Sequence, residues 1–102
     1  MTLGQKRRRF TVMLAKLLIY TDSIGYGVAV DYVKRCKDCP VGHPKSVHKA
    51  ALAADLNLYW QGSYLTSGKH HIKLHDYWDA MGGAERIERD MNHYSIEHRG
   101  VR

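Results

Sequence analysis

Residues 52–59, with the sequence Leu-Ala-Ala-Asp-Leu-Asn-Leu-Tyr, alternate between apolar and more polar side chains. Because successive side chains of a β-strand point to opposite faces, this alternation predicts a strand with one leucine-rich face. That face would carry Leu52, Ala54, Leu56 and Leu58, and the other face would carry Ala53, Asp55, Asn57 and Tyr59. The segment therefore predicts a strand that covers a core on one side and presents Asp55 on the side away from it.

The chain before this strand predicts a helix and another strand. Apolar residues recur at helical spacing between residues 6 and 22, which predicts an amphipathic helix. These residues are Phe10, Met13, Leu14, Leu17 and Leu18. Gly25 follows and predicts the end of the helix. Residues 26–32 alternate again, which predicts a strand.

The chain after it predicts a short strand, a second helix and a final strand. Gln61 and Gly62 form the expected turn, and Tyr64 and Leu65 the short strand. Residues 70–81 have helical periodicity that ends at two glycines, and a strand is expected around residues 93–96. Residues 36–47 contain two prolines and a glycine and predict a loop. This order predicts a single small α+β domain with an antiparallel sheet flanked by helices.

Length and composition indicate a globular protein. The chain has 102 residues, which fits one domain over residues 1–102, and it is 44% hydrophobic and 25% charged. No window approaches the roughly 20 apolar residues of a membrane span. The basic run at residues 6–9 precedes an apolar stretch, but no small-residue cleavage site follows, so we predict no signal peptide.

The basic balance of the chain limits its partners. The net charge is +6 and the sequence pI is about 9.5. Such a surface favours an anionic partner, which could be nucleic acid, acidic lipid or a cell-wall polymer. The same charge could serve solubility alone.

Four residues have the types and order of a catalytic metal site. His48, Asp55 and His93 would be three ligands, and Asp90 lies three residues before the last of them. Three ligands with an open coordination position are typical of catalytic zinc, and a nearby carboxylate can act as general base and acid. Spacing alone leaves open that these are surface histidines and an aspartate of a turn.

Four further histidines are predicted to lie on the surface, because a basic chain with seven histidines exposes most of them. They are His70, His71, His75 and His98.

A second zinc hypothesis uses one of the same residues. The sequence from Cys36 through Cys39 and His43 to His48 has the spacing C-x2-C-x3-H-x4-H, which is close to a small zinc knuckle. With a net charge of +6, such a knuckle would suggest a nucleic-acid-binding protein. The two cysteines could instead remain free thiols, form a disulfide or hold a second structural metal.

Residues 46–55, with the sequence Ser-Val-His-Lys-Ala-Ala-Leu-Ala-Ala-Asp, resemble a known motif. They are similar to the SxHxxGxAxD motif of the zinc D-Ala-D-Ala carboxypeptidase and dipeptidase family, which includes the L-alanyl-D-glutamate endopeptidases of bacteriophage lysis systems. Residues 90–102 resemble the closing segment of its small phage members, and the likeness extends over residues 10–102. Ala51 stands where the motif often has glycine, and we expect it to be tolerated if its φ is negative.

The resemblance implies a role for each site residue. His48, Asp55 and His93 would bind zinc, and Asp90 would be the general base. Arg35 corresponds to an arginine that binds the substrate carboxylate or the developing oxyanion.

The resemblance also implies substrate and setting. Ser46 would orient the loop or a substrate group. The expected reaction is cleavage of the L-alanyl-D-glutamate bond of peptidoglycan stem peptides during bacteriophage lysis, with D-Ala-D-Ala cleavage as the alternative. We expect a monomer that has no separate wall-binding module and does not bind nucleic acid. It would stay in the host cytoplasm until lysis and then act on the cell wall.

Overall fold

A computed structural model describes residues 1–31 and 50–102, and these residues form an α+β fold. The helices are α1 (Leu3–Ser23) and α2 (Ile72–Ala80), and a 3-10 turn over Gly68–His71 leads into α2. The strands are β1 (Gly27–Val30), β2 (Ala53–Trp60), β3 (Ser63–Leu65) and β4 (His93–Ser95). The predicted fold class and order of elements are confirmed. The predicted loop at residues 36–47 lies outside the described residues.

Helix α1 has a capping signal at its start and a buried stripe along its length. The Thr2 side chain accepts from the Gln5 backbone N–H, and the Gln5 side chain accepts from the Thr2 backbone N–H, forming a capping box. The buried side chains are Phe10, Met13, Leu17 and Thr21. The helix ends before Gly25, whose φ of 98° suits glycine and allows the chain to turn into β1.

Strand β2 is the centre of an antiparallel sheet and has different neighbours along its two edges. β1 pairs with Leu56–Tyr59, β3 pairs with Leu58–Trp60, and β4 pairs with Ala53–Asp55. The Asp31 N–H donates to the Asp55 carbonyl on the β1 side, whereas the Leu56 N–H donates to the Asn92 carbonyl beside β4. Because neighbouring residues of a strand direct their backbone groups to opposite edges, β3 and β4 share the edge away from β1. They leave a gap between them.

The core lies between the leucine-rich face of β2 and the two helices. Leu56, Leu58 and Trp78 are completely buried, and the Phe10 and Trp78 rings meet edge to face at 5.8 Å. The Trp78 indole N–H donates to the Ser95 carbonyl at 2.8 Å, which ties α2 to β4. Burying each such side chain contributes about 1.5–3 kcal/mol, so this contact area fixes α2 against the sheet.

The polar face of β2 differs from its prediction in one respect. Asp55 lies on the face opposite the leucines, as expected, but its relative exposure is only 8%. Ala53 on the same face is completely buried. The beginning of β2 is therefore covered on both faces, and Asp55 is an enclosed carboxylate rather than a solvated one.

The cluster of basic residues at the start of α1 makes specific contacts. Arg7 donates to the Ala50 carbonyl at 2.8 Å, and Arg9 donates to the Met81 carbonyl at 3.0 Å. These bonds attach the helix to the segment before β2 and to the end of α2. Among the described residues, no helix is long and apolar enough to cross a membrane.

Candidate metal centre

Asp55 and His93 face each other across two paired strands. They are direct Cα partners in the register of β2 and β4, so their side chains project from the same face of the sheet. The His93 Nδ1 and an Asp55 carboxylate oxygen are 3.5 Å apart. Both side chains are buried, with relative exposures of 6% for His93 and 8% for Asp55. The strand pairing thus places an imidazole and a carboxylate together in a site with little water.

Asp90 joins this pair from the turn that leads into β4. The Asp90 N–H donates to the Ile87 carbonyl at 2.9 Å, and the His93 N–H donates to the Asp90 carbonyl at 3.0 Å. This turn directs the Asp90 carboxylate toward the sheet. Ligand atoms of Asp55, Asp90 and His93 all lie within 4.8 Å of one another, and Asp90 is the exposed member.

The three side chains could hold a metal ion. Two ligands at about 2.0–2.1 Å from a four-coordinate ion lie roughly 3.4 Å apart, which is close to the separation of Asp55 and His93. That separation is longer than the roughly 2.7–3.2 Å of an ordinary N–H···O hydrogen bond. The negative charges of the two carboxylates, whose oxygens lie within 4.8 Å of each other, would attract a cation held by Asp55 and His93. The donor set therefore fits a divalent cation.

The described residues include three members of the predicted constellation, and the structure brings them together. Asp55, Asp90 and His93 were predicted from two segments far apart in the chain, and they meet at one point of the sheet. The remaining predicted site residues lie outside the described residues. They are the ligand His48, the substrate-binding Arg35 and Ser46, and the zinc-knuckle residues Cys36, Cys39 and His43.

Two histidines predicted to lie on the surface are buried beneath the centre. His71 and His75 have relative exposures of 4% and 1%, so that prediction was wrong for both. The His75 ring stacks on Tyr94 at 4.2 Å, and its Nε2–H donates to the Met91 carbonyl at 2.6 Å. The Nδ1 of His71 is hydrogen-bonded to the Tyr94 hydroxyl at 2.7 Å. His75 thus holds Met91, between Asp90 and His93, and both histidines contact Tyr94, the residue after His93.

Burial keeps both histidines neutral. It lowers the pKa of His71 to about 4, with smaller contributions from His75 and His70. Burial is also the largest cause of the lowered pKa of His75, against which the Met91 carbonyl acts. Burial raises the pKa of the Tyr94 hydroxyl as well. The support beneath the site therefore stays uncharged near neutral pH.

The spacing of these histidines contained a signal for their burial. His71 and His75 are four residues apart and share a helical face with Leu74 and Trp78. A histidine that continues an apolar stripe is expected to be buried with it. Composition alone does not reveal this burial, because it does not distinguish the positions of the seven histidines.

Ala51, just before β2, has a positive φ of 60°. The condition under which alanine was expected to be tolerated at this position, a negative φ, is therefore not met. A left-handed conformation favours glycine, because an L side chain is crowded there. The residue at which the motif often has glycine thus has the backbone conformation that glycine suits best.

A cleft of about 280 Å³ opens beside Asp90, in the gap between β3 and β4. One wall comprises Leu56 and Asn57 of β2, the second comes from β3 and the residues after it, and the third is the segment Glu88–Asn92. A ligand bound in this cleft would contact Asp90 directly.

Comparisons of the chain with protein-family models, with curated proteins and with solved structures find no match.

Proposed function

We propose that this protein is a zinc-dependent peptidase that cleaves the stem peptides of bacterial peptidoglycan at the L-alanyl-D-glutamate bond. The observation that carries the proposal is the convergence of Asp55, Asp90 and His93, whose ligand atoms lie within 4.8 Å of one another. The motif resemblance, which uses the sequence alone, assigns the same three residues to the zinc site. Asp55, Asp90 and His93 are thus linked both by the motif resemblance and by their proximity in the fold.

The buried pair would hold the ion. Asp55 and His93 provide a carboxylate and an imidazole from adjacent strands, and His48 would be the third ligand. This set of oxygen and nitrogen donors suits zinc. A bound zinc ion would lower the pKa of a water molecule and polarise the scissile carbonyl.

Asp90 would move the proton. Its exposed carboxylate, beside two buried ligand residues, can accept a proton from the attacking water and then give it to the leaving amine. Arg35 would bind the substrate carboxylate or the developing oxyanion through its planar guanidinium. Ser46 would orient the loop or a substrate group.

The backbone at Ala51 and the cleft beside Asp90 add support. The positive φ at Ala51 gives a physical reason for glycine at that position of the motif. The cleft provides space for a substrate beside the proton-transferring carboxylate. The charge of +6 would favour approach to the anionic wall. In this proposal the protein acts as a monomer in bacteriophage lysis, staying in the host cytoplasm until it reaches the wall.

The test is mass spectrometry of purified peptidoglycan digested by the protein with zinc. New free amino groups on D-Glu are expected, and chelation of the metal should remove the activity. Release of D-Ala would instead indicate the D-Ala-D-Ala activity of the same family. If the digest contains no new amino groups and no released D-Ala, the proposal is contradicted and the zinc-knuckle hypothesis is favoured.

Two variants separate the roles at the site. Asp90→Ala should retain zinc and lose activity by about 10²- to 10⁴-fold, because the proton-transfer group is gone. His93→Ala should lose both zinc and activity. Full activity in Asp90→Ala would contradict the role assigned to that carboxylate.

A further inference from the structure

The cleft beside Asp90 is a consequence of sheet topology. β3 and β4 pair with different parts of the same edge of β2, and the cleft occupies the interval between them. The edge of β2 forms one wall of the cleft, at Leu56 and Asn57. Its position is set by strand register, and it is continuous with the candidate metal centre through Asp90.

The lining of this cleft combines neutral hydrogen-bonding groups with an aromatic ring. Asn57, Thr66 and Asn92 contribute amides and a hydroxyl, and Tyr64 contributes a ring that is 55% exposed. Amides and hydroxyls both donate and accept hydrogen bonds. Carboxylates and a guanidinium are also present at Glu88, Asp90 and Arg89, so no single sign of charge dominates. The lining therefore fits a polar neutral ligand better than a polyanion.

The aromatic ring lies on the same sheet face as the candidate ligand residues. Tyr64 is the direct Cα partner of Tyr59, and the two rings are 5.5 Å apart. Asp55, Asn57 and Tyr59 alternate along one face of β2, so Asn57 lies about 7 Å and Tyr59 about 13 Å along the strand from Asp55. A ligand bound on this face would reach from the ring toward the metal centre.

A sugar ring matches these features. Its hydroxyls and N-acetyl group both donate and accept hydrogen bonds, and its C–H face packs on aromatic rings such as that of Tyr64. The cleft volume of about 280 Å³ is near the lower end of the roughly 300–1,000 Å³ of ligand pockets, which suits one ring rather than a polymer. In peptidoglycan, the sugar that carries the stem peptide is one amino acid away from the L-alanyl-D-glutamate bond.

We infer that this cleft is a subsite for the N-acetylated sugar that carries the stem peptide, with Tyr64 packing on the ring and Asn57 binding its polar groups. The inference rests on the proposed function for its biological substrate. If the cleft binds this sugar, the proposed active site should prefer sugar-linked peptides over free peptides. Sugar binding itself needs no metal and can be measured without any cleavage.

The kinetic experiment compares two substrates that contain the same scissile bond. They are N-acetylmuramyl-L-alanyl-D-isoglutamine and the dipeptide L-alanyl-D-isoglutamine without the sugar. The zinc-loaded protein should have a lower KM for the sugar-linked substrate. Tyr64→Ala should raise that KM by roughly 3- to 10-fold, leave kcat nearly unchanged and leave the KM for the free dipeptide unchanged. Tyr64→Phe keeps the ring and should retain the preference.

Trp60→Leu is the matched control. Trp60 is 45% exposed and lies at the end of β2 on the other sheet face, beside Tyr26. Its replacement removes an exposed aromatic ring while keeping an apolar contact, and it should not change the sugar preference. Equal kinetics for both substrates in the wild-type protein, or an unchanged preference in Tyr64→Ala, would overturn the inference.

A binding experiment separates failure of the subsite from failure of the proposed function. The amide of N-acetylmuramic acid, which is neutral like the peptide-linked sugar and lacks the scissile bond, is titrated into the isotope-labelled protein and followed by NMR. Shifts at Asn57 and Tyr64 that disappear in Tyr64→Ala would support the subsite even if no peptide is cleaved. Absence of these shifts would overturn the subsite, whether or not the peptide is cleaved.

Discussion

Ala51 has a backbone conformation that is unfavourable for an alanine. Its φ of 60° places an L-amino acid in the left-handed region, which costs roughly 1–2 kcal/mol and which glycine occupies without that cost. The residue lies two positions before Ala53, the first residue of β2, so the strained position helps to direct the chain into the sheet. The chain therefore tolerates a local cost next to the candidate site.

We predict that Ala51→Gly stabilises the protein. Relief of the left-handed strain should raise the free energy of unfolding by about 1 kcal/mol, even though glycine increases the entropy of the unfolded chain. Urea denaturation monitored by circular dichroism measures this change. Ala15→Gly, at an exposed position of α1, is the control and should lower the free energy of unfolding by about 1 kcal/mol. A loss of stability in Ala51→Gly would contradict this account of the turn.

At the scale of elements, α2 supports the segment that carries Asp90. His75 stacks on Tyr94 of β4 and donates to the Met91 carbonyl, so one side chain contacts both the strand and the turn before it. Groups that orient metal ligands from behind commonly change metal affinity by about 10- to 100-fold when they are removed. His75 is in this sense a positioning residue.

We predict that His75→Phe weakens zinc binding by about 10-fold, because it keeps an aromatic ring against Tyr94 and loses the bond to Met91. The free energy of unfolding should fall by about 1 kcal/mol because a partly buried carbonyl loses its donor. Isothermal titration calorimetry with zinc measures the first effect. His75→Gln retains an N–H donor and should recover part of the affinity. Zinc affinity equal to that of the wild-type protein in His75→Phe would show that His75 does not position the site.

Periodicity predicted the elements well, but it could not predict every environment. The alternation in residues 52–59 predicted β2, and the apolar stripe from Phe10 to Leu17 predicted α1. Each pattern follows from the burial of one face of the element. The covering of Asp55 depends on residues brought from elsewhere by the fold, which the period of one strand does not contain. His71 and His75 were missed because imidazole is compatible with both surface and core.

The candidate site was predictable in its residues and not in its geometry. The order of Asp55, Asp90 and His93 suggested a ligand set, but their proximity depends on the register between β2 and β4. A shift of that register by one residue would turn His93 to the other face. The cleft beside Asp90 was not predicted, because it arises from two strands that share one edge of β2.

At the scale of the whole molecule, buried neutral histidines couple folding to pH. The pKa of His71 is about 4 in the folded protein and about 6.5 when unfolded, so the unfolded chain binds the proton first. The stability from this group is complete above pH 6.5 and is lost as the pH falls toward 4. His75 acts in the same direction, since its pKa is also lowered.

We predict that the metal-free protein loses about 2–3 kcal/mol of unfolding free energy through His71 between pH 7.5 and 4.5. Denaturation curves in the presence of a chelator, recorded across this range, measure the loss. His71→Asn should lose clearly less unfolding free energy between pH 7.5 and 4.5, whatever its stability at pH 7.5. Ile72→Ala, which changes an exposed neutral neighbour, should retain the full loss. An identical pH dependence in His71→Asn and the wild-type protein would contradict the assignment.

The proposed activity depends on a metal ion bound at Asp55 and His93, and cobalt substitution is the sharpest test of this claim. The wild-type protein should show cobalt d–d absorption without a thiolate charge-transfer band. Asp55→Ala should lose cobalt binding, and Asp90→Ala should retain it. A thiolate band that persists in Asp55→Ala would contradict the claim and would assign the metal to the cysteines of the zinc-knuckle hypothesis.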